Sequence, residues 1–212
     1  SKTDNFGSDE RLMVRFSQDG PYRRDIFLKF DLSSATTPAP YDKVNLKIYG
    51  NDEGLVGIPL RVLKIAPDRA NFNWSENSLI FSNKPATDYT NDNIAEIETE
   101  GDGDNKFFEW DITSWVNEQA AAGQKIISLH LRQMSIPGTG GVAVDPMYFH
   151  SKENPSGNKP SIILHAMGNS IEANSVNRAE VSVYDGILSA NLNNSDAETL
   201  SIYSLNGVKV FE

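Results

Sequence analysis

Arg24-Asp-Ile-Phe-Leu-Lys-Phe-Asp31 alternates its side chains, with Ile26, Leu28 and Phe30 of one parity and Phe27 and Lys29 of the other. Successive residues of a strand point to opposite faces, so this period of two describes a strand with one face in a core. Upstream, residues 11–16 repeat the pattern through Leu12, Val14 and Phe16, and Asp19-Gly20-Pro21 closes it. Downstream, Val44, Leu46 and Ile48 mark a third strand ended by Gly50-Asn-Asp-Glu-Gly54, and residues 58–65 read as a fourth. The polar stretch 67–105 is too long for a structureless connection, so it is expected to hold short strands or turns anchored by Phe72, Trp74, Ile80 and Phe81. Residues 107–111 form a further strand that leads into a helix over 113–122. Asp111 or Thr113 caps the start of that helix, Gly123 supplies its left-handed end, and Trp115, Val116 and Gln119 share one face. Strands resume over 125–131, 147–150 and 161–165. Many short strands between turn signals, with one short helix, predict an all-β, jelly-roll-like antiparallel β-sandwich.

A second unit follows. After Gly168-Asn-Ser170 the chain is rich in Asn, and alternation restarts at Val181, Val183 and Tyr184. Asp185-Gly186 and Asn206-Gly207 predict two tight hairpins. The expected division is a sandwich over 1–168, a linker over 169–180 and a small β unit over 181–212.

Composition narrows the function classes. The formal charge of −10 with 19 scattered Lys and Arg argues against nucleic acid as a partner, because phosphate binding needs concentrated cations. With no cysteine, disulfides, thiolate nucleophiles and Cys-bound zinc are excluded. No stretch approaches the run of about 18 apolar residues that crosses a bilayer as a helix. The polar opening Ser1-Lys-Thr-Asp-Asn-Phe-Gly-Ser-Asp9 leaves room upstream for a signal peptide and a first strand.

Several fragments together carry a family resemblance. Asn5-Phe-Gly-Ser-Asp9, Phe30-Asp-Leu-Ser-Ser34, Asn73-Trp-Ser-Glu76 with Asn83-Lys-Pro85, Trp110-Asp-Ile-Thr-Ser-Trp-Val116, and Phe149-His-Ser-Lys-Glu153 with Lys159-Pro160 follow in order along the first domain. In this the chain resembles the DNRLRE-domain family, whose best-described members are carbohydrate-binding modules that include alginate binders. Further on, Val181-Ser-Val-Tyr-Asp-Gly186 and Ser201-Ile-Tyr-Ser-Leu-Asn-Gly-Val-Lys-Val210 resemble the C-terminal sorting domain of type IX secretion, whose final Gly-containing strand would lie beyond Glu212. The two resemblances imply a secreted or cell-surface protein and further domains in a larger exported parent.

His130, His150 and His165 lie in no catalytic motif, and no GxSxG, HExxH or P-loop pattern occurs near them. A polysaccharide lyase would need a Tyr or His to move protons and Arg with Asn or Gln beside the uronate; Tyr148, His150, Arg132 and Gln133 are the right types. Asp102-Gly-Asp104-Asn105 offers hard oxygen ligands suited to calcium, but it lacks the closing Glu of an EF-hand, so a solvated turn is the better reading and no cofactor is required. Outward basic positions include Arg15, Lys29, Lys47 and Arg132, with Tyr22, Arg23 and Arg24 beside a turn. The reading that follows is a non-catalytic module for an anionic polysaccharide. It takes Arg24, Lys29 and Arg132 as ligand-binding residues on one exposed face, with a β-sandwich lyase and a structural spacer as the alternatives. Trp74, Trp110 and Trp115 are expected in the core or as loop anchors.

Overall fold

In the computed structural model the alternating segments become two antiparallel sheets. Residues 3–18, 22–136 and 143–167 are described with their side chains; beyond them only the backbone of four strands is described. In chain order the elements are β1 (Arg11–Val14), β2 (Ile26–Asp31), β3 (Tyr41–Asn51), β4 (Val56–Lys64), β5 (Asn93–Glu100), β6 (Lys106–Asp111), α1 (Thr113–Ala121), β7 (Ile126–Gln133), β8 (Met147–His150) and β9 (Ser161–Ala166). One sheet runs β1-β8-β3-β6, with β9 also on β3, and the other runs β2-β7-β4-β5. The chain repeatedly crosses from one sheet to the other, which is why neighbours in the sheets are distant in sequence. The architecture is an all-β, jelly-roll-like sandwich with one short helix.

The inward parity of each strand supplies the core. Val44, Leu46 and Ile48 of β3, Phe108 and Trp110 of β6, and Met147 and Phe149 of β8 meet Ile26 and Leu28 of β2 and Ile127, Leu129 and Leu131 of β7 in one buried cluster. The indole N–H of Trp110 donates to the Leu60 carbonyl at 3.1 Å, so this ring leaves no orphan donor in the core. Helix α1 buries Trp115, Val116 and Gln119, as expected, and Gly123 ends it at φ +73°. The Asp111 carboxylate accepts the Thr113 N–H at 3.0 Å, so Asp111 rather than Thr113 serves the helix start.

Three expectations need correction. Strand β3 extends back to Tyr41, because Asn117 of α1 accepts the Tyr41 N–H and donates to its carbonyl, while β9 pairs with residues 41–47. The stretch 67–105 contains a full strand, β5, on the sheet edge beside β4, where Asn-Ile-Ala-Glu-Ile-Glu-Thr-Glu shows too few apolar residues to declare itself. Strand β1 stops at Val14, and Phe16 enters a small separate cluster with Ile58 and Val144.

The chain divides into two units, Ser1–Met167 and Gly168–Glu212. In the second, β10 (Ala179–Tyr184) pairs antiparallel with β11 (Ile187–Leu192), and β12 (Ile202–Tyr203) with β13 (Lys209–Phe211). The turn residues Asp185-Gly186 and Asn206-Gly207, and the predicted linker before Ala179, lie outside the described residues.

Candidate functional site

Strand β7 is buried on both faces. Its odd residues fill the core, so Ser128, His130 and Arg132 stand on the opposite side, where they are covered by residues 66–92. That segment is pinned at several points. Trp74 Nε1 donates to Ser128 Oγ at 3.0 Å, Thr87 Oγ1 meets His130 Nδ1 at 2.9 Å, and Arg69 holds both oxygens of buried Asp92. Tyr89 lies against the Arg132 guanidinium, 3.6 Å from ring centroid to guanidinium carbon.

Beneath this cover sits a charged cluster. His130 Nε2 is 3.5 Å from Asp25 Oδ2, and Arg132 Nε is 3.9 Å from Asp25 Oδ1, both beyond normal hydrogen-bond reach. Arg23 Nε, Asp25 Oδ1, His130 Nε2, and Nε and one terminal nitrogen of Arg132 are buried without a hydrogen-bond partner among the described residues. Burial pushes the His130 imidazole below its ordinary pKa; Asp25 opposes this, Arg132 and Lys84 add to it, and the ring is neutral at neutral pH. Burial alone would raise the Asp25 carboxyl, but His130, Arg132 and Lys84 outweigh it and hold it below its usual range.

Next to the cluster opens a cleft of about 410 Å³. Its walls come from the N-terminal segment, from β1 and the start of β2, and from residues 74–84. The N-terminal wall is clamped to the third. Asn5 Nδ2 donates to the carbonyls of Glu76 at 2.6 Å and Leu79 at 2.8 Å, and a Cβ on Gly7 would meet the Glu76 carbonyl oxygen at 2.8 Å. Gly7 therefore permits the close approach that forms the cleft. Four cations line it, Arg11, Arg23, Arg24 and Lys84, together with the rings of Phe6, Phe27, Trp74 and Phe81. Carboxylates are present too: Asp4, Asp9, Asp25 and Glu76. Two of these are engaged elsewhere, Asp25 by His130 and Arg132, and Glu76 by Lys152 at 3.0 Å.

The residues expected to share one exposed face are divided by the structure. Arg24 is exposed and lines the cleft. Arg132 is only 2% exposed, because residues 66–92 cover the face its parity assigns it to. Lys29, expected to offer a free ammonium, instead donates to the Trp74 carbonyl and lies over the Trp74 ring, 4.6 Å from its centroid, where burial lowers its pKa. Lys47 belongs to the other sheet and pairs with Glu109 at 2.9 Å. Arg15 bridges to Arg24 through the backbone and donates toward the Val144 carbonyl. Phe27, Phe6 and Lys84 were missed as site residues. Phe27 was legible as outward from β2, and Lys84 stood inside the family-like Asn83-Lys-Pro85, but neither signal says which loops converge.

The lyase types do not converge. Tyr148 and His150 lie on the outer face of the β1-β8-β3-β6 sheet, Arg132 on the outer face of the other sheet, and Gln133 points inward to the Phe16 N–H and the Asp145 carbonyl. His130 and His150 are likewise on different sheets, each holding a loop, the latter through Ser156 Oγ at 2.8 Å. In the loop proposed for calcium, Lys106 pairs with Asp102 at 2.6 Å, and fully buried Asp52 accepts the N–H groups of Gly54, Gly101 and Gly103. Among the described residues no group of three or more His, Asp or Glu side chains is placed to hold a metal ion. Nor is any helix among them long and apolar enough to cross a membrane.

A cleft that sets aromatic rings beside guanidinium and ammonium groups can bury the C–H faces of sugar rings while pairing their acidic or hydroxyl groups. The model of carbohydrate-binding module family 96 matches residues 1–166, the span of the sandwich. The chain belongs to this family. A search of curated proteins returned no match. As a family 96 member the sandwich is a carbohydrate-binding module. Trp110 and Trp115 of the module are core residues, whereas Trp74 both anchors residues 66–92 and lines the cleft.

Proposed function

We propose that this family 96 module binds an anionic polysaccharide, of the uronate type, in the cleft between its N-terminal segment, β2 and residues 74–84. One observation carries the reading: in a chain of net charge −10, Arg11, Arg23, Arg24 and Lys84 converge on one cleft together with aromatic rings. Arg24 contacts the ligand directly. Arg132 acts from behind, with His130 helping to keep Asp25 ionised, and Lys29 fixes the Trp74 wall. The resemblance to alginate binders supports a uronate ligand, and the resemblance of residues 181–212 to a type IX sorting domain supports an accessory role in an exported or cell-surface protein with further domains.

Titration of the full chain with alginate, pectin and a neutral β-glucan at two salt concentrations tests this. Uronate polymers should bind more tightly than the neutral glucan, and their affinity should fall with salt. Lys84→Ala should weaken uronate binding about tenfold, near 1.4 kcal/mol, and Arg24→Ala by less because that side chain is exposed. Preference for the neutral glucan, or salt-independent affinity unchanged in both variants, would refute the site.

A further inference from the structure

The outer face of the β1-β8-β3-β6 sheet carries a feature that the cleft reading does not use. Arg11 of β1 pairs with His150 of β8, the continuing register of Gly50 with Phe149 sets His150 beside Tyr49 of β3, and Tyr49 pairs with Phe107 of β6. One residue from each of four adjacent strands thus stands in a single row across the sheet. The rings are in contact. Tyr49 lies 4.9 Å from His150 and 5.0 Å from Phe107 between centroids, and Phe107 remains 40% exposed.

Cations stand at both ends of the row. Lys47 Nζ sits 4.5 Å from the Phe107 centroid, and the Arg11 guanidinium lies 5.0 Å from the ring of Tyr148, the outward residue next to the row on β8. Arg11 and Met13 also line the cleft, so cleft and row meet along β1. With adjacent strands about 4.8 Å apart, the rings of β8, β3 and β6 extend over roughly 10 Å, enough to carry sugar units beyond those the cleft holds. Lys47 pairs with Glu109 at 2.9 Å on this face.

We propose that an anionic glycan chain seated in the cleft continues over Arg11 and across the His150, Tyr49 and Phe107 row, so that the module recognises the interior of a long acidic chain rather than its end. The inference rests on the cleft reading and extends it. The rings stack on the C–H faces of successive sugars, while Arg11 and Lys47 pair with their carboxylates.

Length dependence separates the two readings. The probes are alginate-derived oligouronates, from a disaccharide to an octasaccharide, titrated into the full wild-type chain and Phe107→Ala, with Phe107→Tyr as the conservative control. The expected result is an unchanged disaccharide affinity in Phe107→Ala, an octasaccharide affinity reduced about fivefold or more, and recovery in Phe107→Tyr. Amide shift mapping on wild type needs no variant. The disaccharide should move signals near Arg24 and Lys84, and the octasaccharide should also move those of Lys47, Tyr49 and Phe107. If Phe107→Ala leaves the octasaccharide unaffected, or weakens short and long oligomers equally, the extended track is wrong while the cleft stands. If no oligomer shifts the cleft signals, both readings fall.

Discussion

Asp25→Asn tests the charged cluster behind the cleft, because it removes one charge and nearly preserves shape. Arg132 is 2% exposed, and Asp25, at 3.9 Å, is the one carboxylate paired with it among the described residues. At that separation two unit charges attract by about 1 kcal/mol in bulk water and about 4 kcal/mol at an effective dielectric of 20. Removing one partner of a buried pair costs about 3–5 kcal/mol, since the other charge is left uncompensated. The contact of Arg132 with the Tyr89 ring survives the substitution and offsets part of this, which leaves a loss of about 3 kcal/mol. For a chain of this size that is a fall in Tm of about 6–12 °C, read by calorimetry of the full chain at neutral pH. The sign with pH follows from the depressed pKa of Asp25. Its contribution is complete above the ordinary carboxylate value of 3.8 and is lost as pH falls through the lower folded-state value, so the acid limb of wild type should be shallower in the variant. Asp25→Leu combined with Arg132→Met should regain most of the loss, because the charged pair is then replaced by apolar groups. A Tm for Asp25→Asn within about 1 °C of wild type, or a double variant as unstable as the sum of its single changes, would refute the electrostatic account of the cluster.

His130→Gln should change the pH profile of stability in a different window. Burial holds the folded-state pKa of His130 below 6.5, so wild type loses stability as pH drops from about 6.5 toward that lower value, and thermal melts of His130→Gln should lack this component; parallel profiles would remove His130 as its source. Asp52→Ala should lower stability by about 2–4 kcal/mol in chemical denaturation, because three backbone N–H groups lose their shared acceptor and all three glycines that donate them sit at positive φ that the carboxylate helps to hold. An unchanged denaturation midpoint would show that water replaces the carboxylate without cost.

Alternation along the chain determined which face of each strand enters the core, because the period of two is a local property of extended backbone. Ile26, Leu28, Val44, Leu46, Ile48 and Leu129 all lie where their parity puts them. The helix was legible from local signals too, through Asp111, whose carboxylate accepts the Thr113 N–H at its start, and the left-handed Gly123. Strand β5 escaped because a sheet-edge strand needs few apolar residues, and Ile94 and Ile97 do not make a pattern by themselves. Parity also placed Lys29 and Arg132 outside the core, and that was correct as far as it reached. What became of the outer face was a tertiary decision. Residues 66–92 fold back over β7, held by Trp74 on Ser128 and Thr87 on His130, and turn an outward arginine into a buried one. The cleft is non-local in the same way, since Asn5 reaches the Glu76 and Leu79 carbonyls across more than seventy positions to set Phe6 opposite Phe81 and Lys84. Side-chain direction is written in neighbouring residues, whereas coverage and convergence depend on which distant segments the completed sandwich brings together.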